Sequence, residues 1–168
     1  MKFAIIKERK NPPDKRAVLS PAACAALKKK FPSSDIKVES DTNRAFSDEE
    51  YRNFGIEVTN DISDCDVLLG IKEVPVEHLI PNKKYFFFSH TIKKQAHNQK
   101  LLQAILQKNI ELYDHEVITD TKGVRIVAFG KYAGIVGAYN TIRAYGLKTR
   151  SFNLPKAENL LDKQALIE

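Results

Sequence analysis

Short apolar runs recur along this chain, most of them followed by a stretch patterned for a helix, and that alternation constrains the fold more than any other feature. The strongest run is Tyr85-Phe86-Phe87-Phe88. Successive side chains point to opposite sides of a strand, so four apolar residues in a row need cover on both sides, as in a parallel sheet between helical layers. Phe3-Ala4-Ile5-Ile6, Ile36-Lys37-Val38, Asp66-Val67-Leu68-Leu69-Gly70, Ile110-Glu111-Leu112 and Val124-Arg125-Ile126-Val127 predict five more strands, the last entered through the Lys122-Gly123 turn.

Helix signals fill the gaps. Ser20 is an N-cap with Pro21 at the first helical position, and Pro32 stops that helix just past Phe31. Ser47-Asp48-Glu49-Glu50 spells a capping box for a short helix ending at Gly55. Leu101, Leu102, Ile105 and Leu106 make one stripe between Gln95 and Asn109, and Lys131 to Leu147 reads as a last long helix. Strands joined through helices take right-handed crossovers, so the predicted class is α/β: an open, mostly parallel sheet flanked by helices, a Rossmann-like or flavodoxin-like three-layer domain. With 168 residues the chain suits one compact unit, expected over residues 1–150, with 151–168 as a helical tail or the start of a linker.

Several function classes are set aside on the same reading. No apolar run approaches the roughly 18–20 residues of a membrane span, and Met1 to Glu8 is too short and charged for a secretory core, so a cytoplasmic protein without a membrane partner is expected. Cys24 and Cys65 lie far apart, with no Cys-x-x-Cys pair and no histidine at metal-ligand spacing; two reduced thiols and no metal are expected. The net charge of +6 sits partly in Lys28-Lys29-Lys30, at a predicted helix C-terminus where cations oppose the dipole. Aromatic residues do not interleave with the lysine runs, so no nucleic-acid partner is expected; the charge suits small polyanions such as dicarboxylates.

In open parallel sheets ligands lie outside the carboxyl ends of the strands. That rule singles out Lys15 and Arg16 after the first run, Lys72-Glu73 after the Val67 run, His90 and Lys93 after Phe88, and Asp114 and Glu116 after Leu112. Any one of these has an ordinary reading as a solvated loop charge or a satisfied histidine. Together, arginine, lysine, histidine and glutamate at successive strand ends could bind a carboxylate and move a proton. The stretch Gly130-Lys131-Tyr132-Ala133-Gly134-Ile135-Val136-Gly137 lacks G-x-G-x-x-G spacing and reads as a helix with small residues, so no cofactor-binding residue is assigned in this chain.

The segments Lys15-Arg16-Ala17-Val18-Leu19-Ser20-Pro21, Gly70-Ile71-Lys72-Glu73-Val74-Pro75, Phe87-Phe88-Ser89-His90-Thr91-Ile92-Lys93, Leu112-Tyr113-Asp114-His115-Glu116 and Gly123-Val124-Arg125-Ile126-Val127-Ala128-Phe129-Gly130 resemble the N-terminal domain of saccharopine dehydrogenases and of the lysine–2-oxoglutarate reductase part of aminoadipic semialdehyde synthase. More distantly the chain is similar to the N-terminal domains of alanine dehydrogenase and proton-translocating transhydrogenase. The resemblance implies Lys72 and His90 as acid–base catalysts, Glu73 and Glu116 as carboxylates tuning them, and Arg16, Lys93 and Arg125 as cations for substrate carboxylates. It implies an amino acid and a 2-oxo acid joined as an imine and reduced by NAD or NADP, or the reverse, with the cofactor bound mainly by a C-terminal Rossmann domain that this chain lacks; by itself the chain should show no dehydrogenase activity. An alanine dehydrogenase-like domain and a carboxylate-binding module without catalysis are the alternatives.

Overall fold

The computed structural model describes residues 1–12, 14–160 and 164–166 and divides into two compact units, Met1–Ile126 and Val127–Glu168. The first unit holds a six-stranded sheet of β1 (Lys2–Ile5), β2 (Asp35–Glu39), β3 (Glu57–Thr59), β4 (Val67–Leu69), β5 (Lys84–Phe87) and β6 (Glu111–Asp114). The order is β3-β2-β1-β4-β5-β6 with every neighbouring pair parallel. This is the doubly wound arrangement, in which the direction of winding switches between β1 and β4 and opens a crevice at their carboxyl ends.

The alternation along each strand builds two cores. Ala4, Ile6, Leu68, Tyr85 and Phe87 face one way and meet Leu101, Ala104 and Ile105 of helix α3 (Gln99–Gln107). Ile5, Ile36 and Val38 face the other way and meet Cys24 of helix α1 (Pro21–Lys30) and Tyr51 of helix α2 (Asp48–Asn53). Cys24 and Cys65 are therefore buried free thiols in different cores. The helix starts follow the sequence: Ser20 accepts from the Ala23 amide with Pro21 behind it, and Ser47 and Glu50 close a reciprocal capping box. Gly55 ends α2 at φ +70°, a conformation that favours glycine. Lys28, Lys29 and Lys30 fill the last turn of α1. At both edges of the sheet a glutamate on the outer strand pairs with a lysine directly opposite on the next strand: Glu57 with Lys37 at 3.3 Å and Glu111 with Lys84 at 3.2 Å.

Two strands differ from the sequence reading. β3 is not signalled by the sequence, because Glu57-Val58-Thr59 offers only three residues, a single apolar one among them. Val124–Val127 is not a strand of the sheet. Residues 118–126 fold into a hairpin tip held by a single antiparallel bridge between Thr119 and Arg125, with Gly123 at φ +77° and the Asp120 carboxylate accepting from the Lys122 and Val124 amides. Val124 and Ile126 are exposed there, so their β-branched side chains reflect local hairpin geometry and not core position.

The second unit is helix α4 (Gly130–Thr149) and the segment that returns along it. The Tyr139 hydroxyl donates to the Pro155 carbonyl at 2.9 Å and Arg143 Nε donates to the Leu154 carbonyl at 3.0 Å. A Cβ at position 146 would meet the Phe152 ring at 2.5 Å, which is why glycine stands there. In the segment expected as a helical tail or the start of a linker, residues 151–156 carry no helix and single 3₁₀ turns follow at Ala157–Asn159 and Gln164–Leu166; residues 161–163 and 167–168 lie outside the described residues.

Candidate functional site

The residues picked out by the strand-end rule come to the carboxyl edge of the sheet in two groups. The first gathers around Glu116, two residues past β6. Its Oε2 lies 2.9 Å from His90 Nδ1, and its Oε1 lies 3.1 Å from Lys93 Nζ and 3.5 Å from Arg125 Nη1. Lys93 Nζ is also 3.0 Å from His90 Nδ1. The carboxylate is largely shielded while Lys93 and Arg125 remain about half exposed. The hydrogen bond from His90 chiefly, reinforced by Lys93, holds the Glu116 carboxyl below the usual glutamate range. Glu116 Oε2 only accepts and Lys93 Nζ only donates, so Nδ1 either gives a proton to Glu116 or receives one from Lys93; the bond to Glu116 puts a proton on Nδ1, and Nε2 takes part in neither contact.

His90 sits one turn past β5 with φ +57°, and Lys94 follows at φ +52°, so the 3₁₀ turn Thr91–Lys93 between them is bracketed by two left-handed residues. Ser89 is fully buried. Its amide donates to Asp114 Oδ1 at 3.3 Å and its hydroxyl donates to Asp114 Oδ2 at 2.5 Å. Asp114 Oδ1 also accepts from the Glu116 amide at 2.9 Å.

The second group lies at the β1–β4 switch point. Arg16 Nε and Nη2 donate to the two oxygens of Asp14 at 2.9 and 2.5 Å, and this pairing holds the Asp14 carboxyl below its ordinary range. Lys72 is half-buried and within electrostatic reach of Asp14. The Glu8 carboxylate accepts from the consecutive amides of Ile71 and Lys72 at 2.6 and 2.9 Å, and burial pushes its pKa up. Glu73 turns away to Lys10, 3.8 Å off, while its other oxygen is buried without a hydrogen-bond partner.

Two hydrogen bonds, one between backbones and one from a side chain, tie the loops of the groups. The Phe88 amide donates to the Ile71 carbonyl at 2.9 Å, and His115 Nε2 lies 3.1 Å from the Gly70 carbonyl oxygen. Burial pushes the His115 pKa down, and because a carbonyl oxygen only accepts, the bond to Gly70 puts a proton on Nε2. The structure thus joins His90, Lys93, Glu116 and Arg125 directly and sets Arg16 and Lys72 together one strand over. Glu8, Asp14, Ser89 and His115 were not assigned from sequence; Glu8 had a signal, since it too follows an apolar run. The stretch Gly130 to Gly137 lies in α4, and added Cβ atoms at Gly130, Gly134 and Gly137 would meet open space. Among the described residues no three His, Cys, Asp or Glu are placed to hold a metal, and no described helix is long and apolar enough to cross a membrane.

A six-stranded parallel sheet that switches winding direction between β1 and β4 and carries cations, a histidine and carboxylates along one edge defines a doubly wound α/β domain. Residues 4–136 match the family model described as alanine dehydrogenase/PNT, N-terminal domain, and the chain belongs to that family. It is 38% identical over 146 residues to the alpha-aminoadipic semialdehyde synthase of Arabidopsis thaliana, covering 84% of this chain and 14% of that protein. It is 30% identical over 139 residues to the saccharopine dehydrogenase [NAD(+), L-lysine-forming] of Emericella nidulans, covering 79% of this chain and 36% of that protein. Among solved structures, the transhydrogenase of Sinorhizobium meliloti superposes with a TM-score of 0.68 at 18% identity over 86% of this chain and 44% of that one. An L-alanine dehydrogenase does so with 0.64 at 14% identity over 89% and 42%. The chain therefore spans about a seventh of the synthase and a little over a third of the dehydrogenase.

Proposed function

We propose that this chain is the substrate-side domain of an NAD(P)-dependent oxidoreductase that joins an amino acid and a 2-oxo acid through an imine, with lysine and 2-oxoglutarate as the pair, or cleaves the product. The carrying observation is the cluster in which one glutamate holds His90, Lys93 and Arg125 at the carboxyl edge, with the Lys72 loop hydrogen-bonded alongside. The saccharopine-type relatives, at 30–38% identity, support this reading over an alanine dehydrogenase-like one, since the alanine dehydrogenase structure at 14% identity shares the fold alone.

In this proposal Lys93 and Arg125 bind a substrate carboxylate, and Arg16 engages a second one at the switch point. His90 gives or takes a proton through Nε2 while Glu116 orients its ring and steadies the imidazolium. Lys72 is the second acid–base group, held by the Glu8 clamp on its own amide, with Glu73 beside it in the chain. The nicotinamide cofactor supplies or accepts the hydride, and a separate Rossmann domain holds it. A cytoplasmic site belongs to the proposal too, to be checked by fractionation; the bovine relative is named mitochondrial. The test introduces Lys72→Met and His90→Gln into the full-length polypeptide and measures saccharopine turnover. Loss in both is expected, and rates equal to the unaltered protein in both would overturn the assignment.

A further inference from the structure

We propose that Asp114, acting through Ser89, is a positioning residue that holds His90 and Glu116 in register across the ends of β5 and β6. The proposal rests on the reading of His90 as a proton-transfer group but concerns its placement.

A non-glycine residue with left-handed φ is unfavourable and persists where its surroundings over-determine it. His90 is such a residue, and the bonds on both its sides are accounted for. On the N-terminal side Ser89 is locked by its amide and hydroxyl to Asp114. On the C-terminal side the Thr91 amide and hydroxyl both reach Ser89 Oγ, at 3.1 and 2.8 Å. Because Ser89 has one proton and gives it to the Asp114 carboxylate, its oxygen is the acceptor in both bonds and the Thr91 hydroxyl is the donor. The His90 carbonyl accepts from the buried Asn98 side chain at 3.2 Å.

The same carboxylate governs the facing strand. Asp114 Oδ1 accepts from the Glu116 amide, two residues along, which curls the chain after β6 and directs Glu116 back to His90 Nδ1. One carboxylate, 6% exposed, therefore fixes the backbone on each side of the His90–Glu116 pair. The Asp114 carboxylate bonds to the Ser89 amide and hydroxyl and to the Glu116 amide, so it acts on the His90–Glu116 pair by holding the backbone that carries them.

The experiment uses ¹³C and ¹⁵N NMR of the 168-residue chain. In the unaltered protein the Ser89 and Glu116 amides should be protected from exchange, and the Glu116 carboxyl should titrate below an ordinary glutamate. Asp114→Asn, and more gently Ser89→Ala, should move the Glu116 titration up toward the ordinary value while amide shifts in β1 to β4 stay in place. The proposal is overturned if Glu116 titrates unchanged in every variant that folds, or if the Ser89 and Glu116 amides of the unaltered protein exchange as fast as those of exposed loops. The second measurement decides the matter even if Asp114→Asn does not fold. None of these readouts is turnover, so loss of the catalytic reading of His90 would leave them unaffected.

Discussion

Replacing Glu116 with glutamine should tighten the binding of a dicarboxylate to this domain. Glu116 Oε1 stands 3.1 Å from Lys93 Nζ and 3.5 Å from Arg125 Nη1, so it occupies the place between two cations that an incoming carboxylate would seek. A ligand carboxylate bridging the same cations would approach to about 5 Å from that charge. Two like charges at that separation repel by about 1 kcal/mol in water-like surroundings and by about 3 kcal/mol at an effective dielectric constant of about 20. With Lys93 and Arg125 exposed by 45% and 46%, the lower figure applies. The variant should then bind glutarate roughly fivefold more tightly at low ionic strength. The gain should shrink as salt rises toward about 0.15 M, where the screening length falls to about 8 Å. Isothermal titration calorimetry at two salt concentrations reads both quantities. Equal or weaker binding by Glu116→Gln at low salt would refute the idea that the carboxylate competes for these cations.

Ser20→Ala removes the acceptor of the Ala23 amide at the start of α1 and should cost about 1 kcal/mol, seen as a lower urea midpoint with an unchanged slope. Burial pushes both cysteine thiols up to about 11, so neither Cys24 nor Cys65 should react with an aromatic disulfide reagent at neutral pH until the chain unfolds, and fast labelling of the native protein would contradict their placement. Glu8 has its pKa raised by burial, so the native state holds its proton more tightly than the unfolded chain does; the stability tied to that proton is present at acid pH and lost as pH climbs from the ordinary glutamate value through the raised one. The stability of Glu8→Gln relative to the unaltered protein should therefore improve as pH rises through that window, a trend that urea midpoints at successive pH values will show or reverse.

Much of this architecture was readable because strand ends are local features. Apolar runs stop where the backbone leaves the sheet, and a parallel sheet puts all those stops along one edge, so Arg16, Lys72, His90 and Glu116 could be placed on a common edge before any contact was known. Which of them meet could not be read, because that depends on the order of strands. Glu8 reaches the Lys72 amide only because β1 and β4 are neighbours, across 64 residues of chain. The grouping of His90 with Glu116 likewise needs β5 beside β6. Local signals misled where they were short or one-sided. β3 has three residues and one apolar side chain, whereas Val124–Val127 carries strand-forming side chains that a tight turn keeps out of the sheet. The departure of Glu73 toward Lys10 follows from loop geometry that sequence spacing does not encode.

The lysine–glutamate rungs at the two margins of the sheet bear on how the domain behaves in a crowded solution. A foreign strand that tried to extend the ladder beyond β3 or β6 would have to dock along a row only three or four residues long, beside a charged side chain already committed inward. That makes templated aggregation costly at both borders without any helix needed to cap them. Two ion pairs whose worth to the monomer's own stability is small thus disfavour the pairing of another strand at either border.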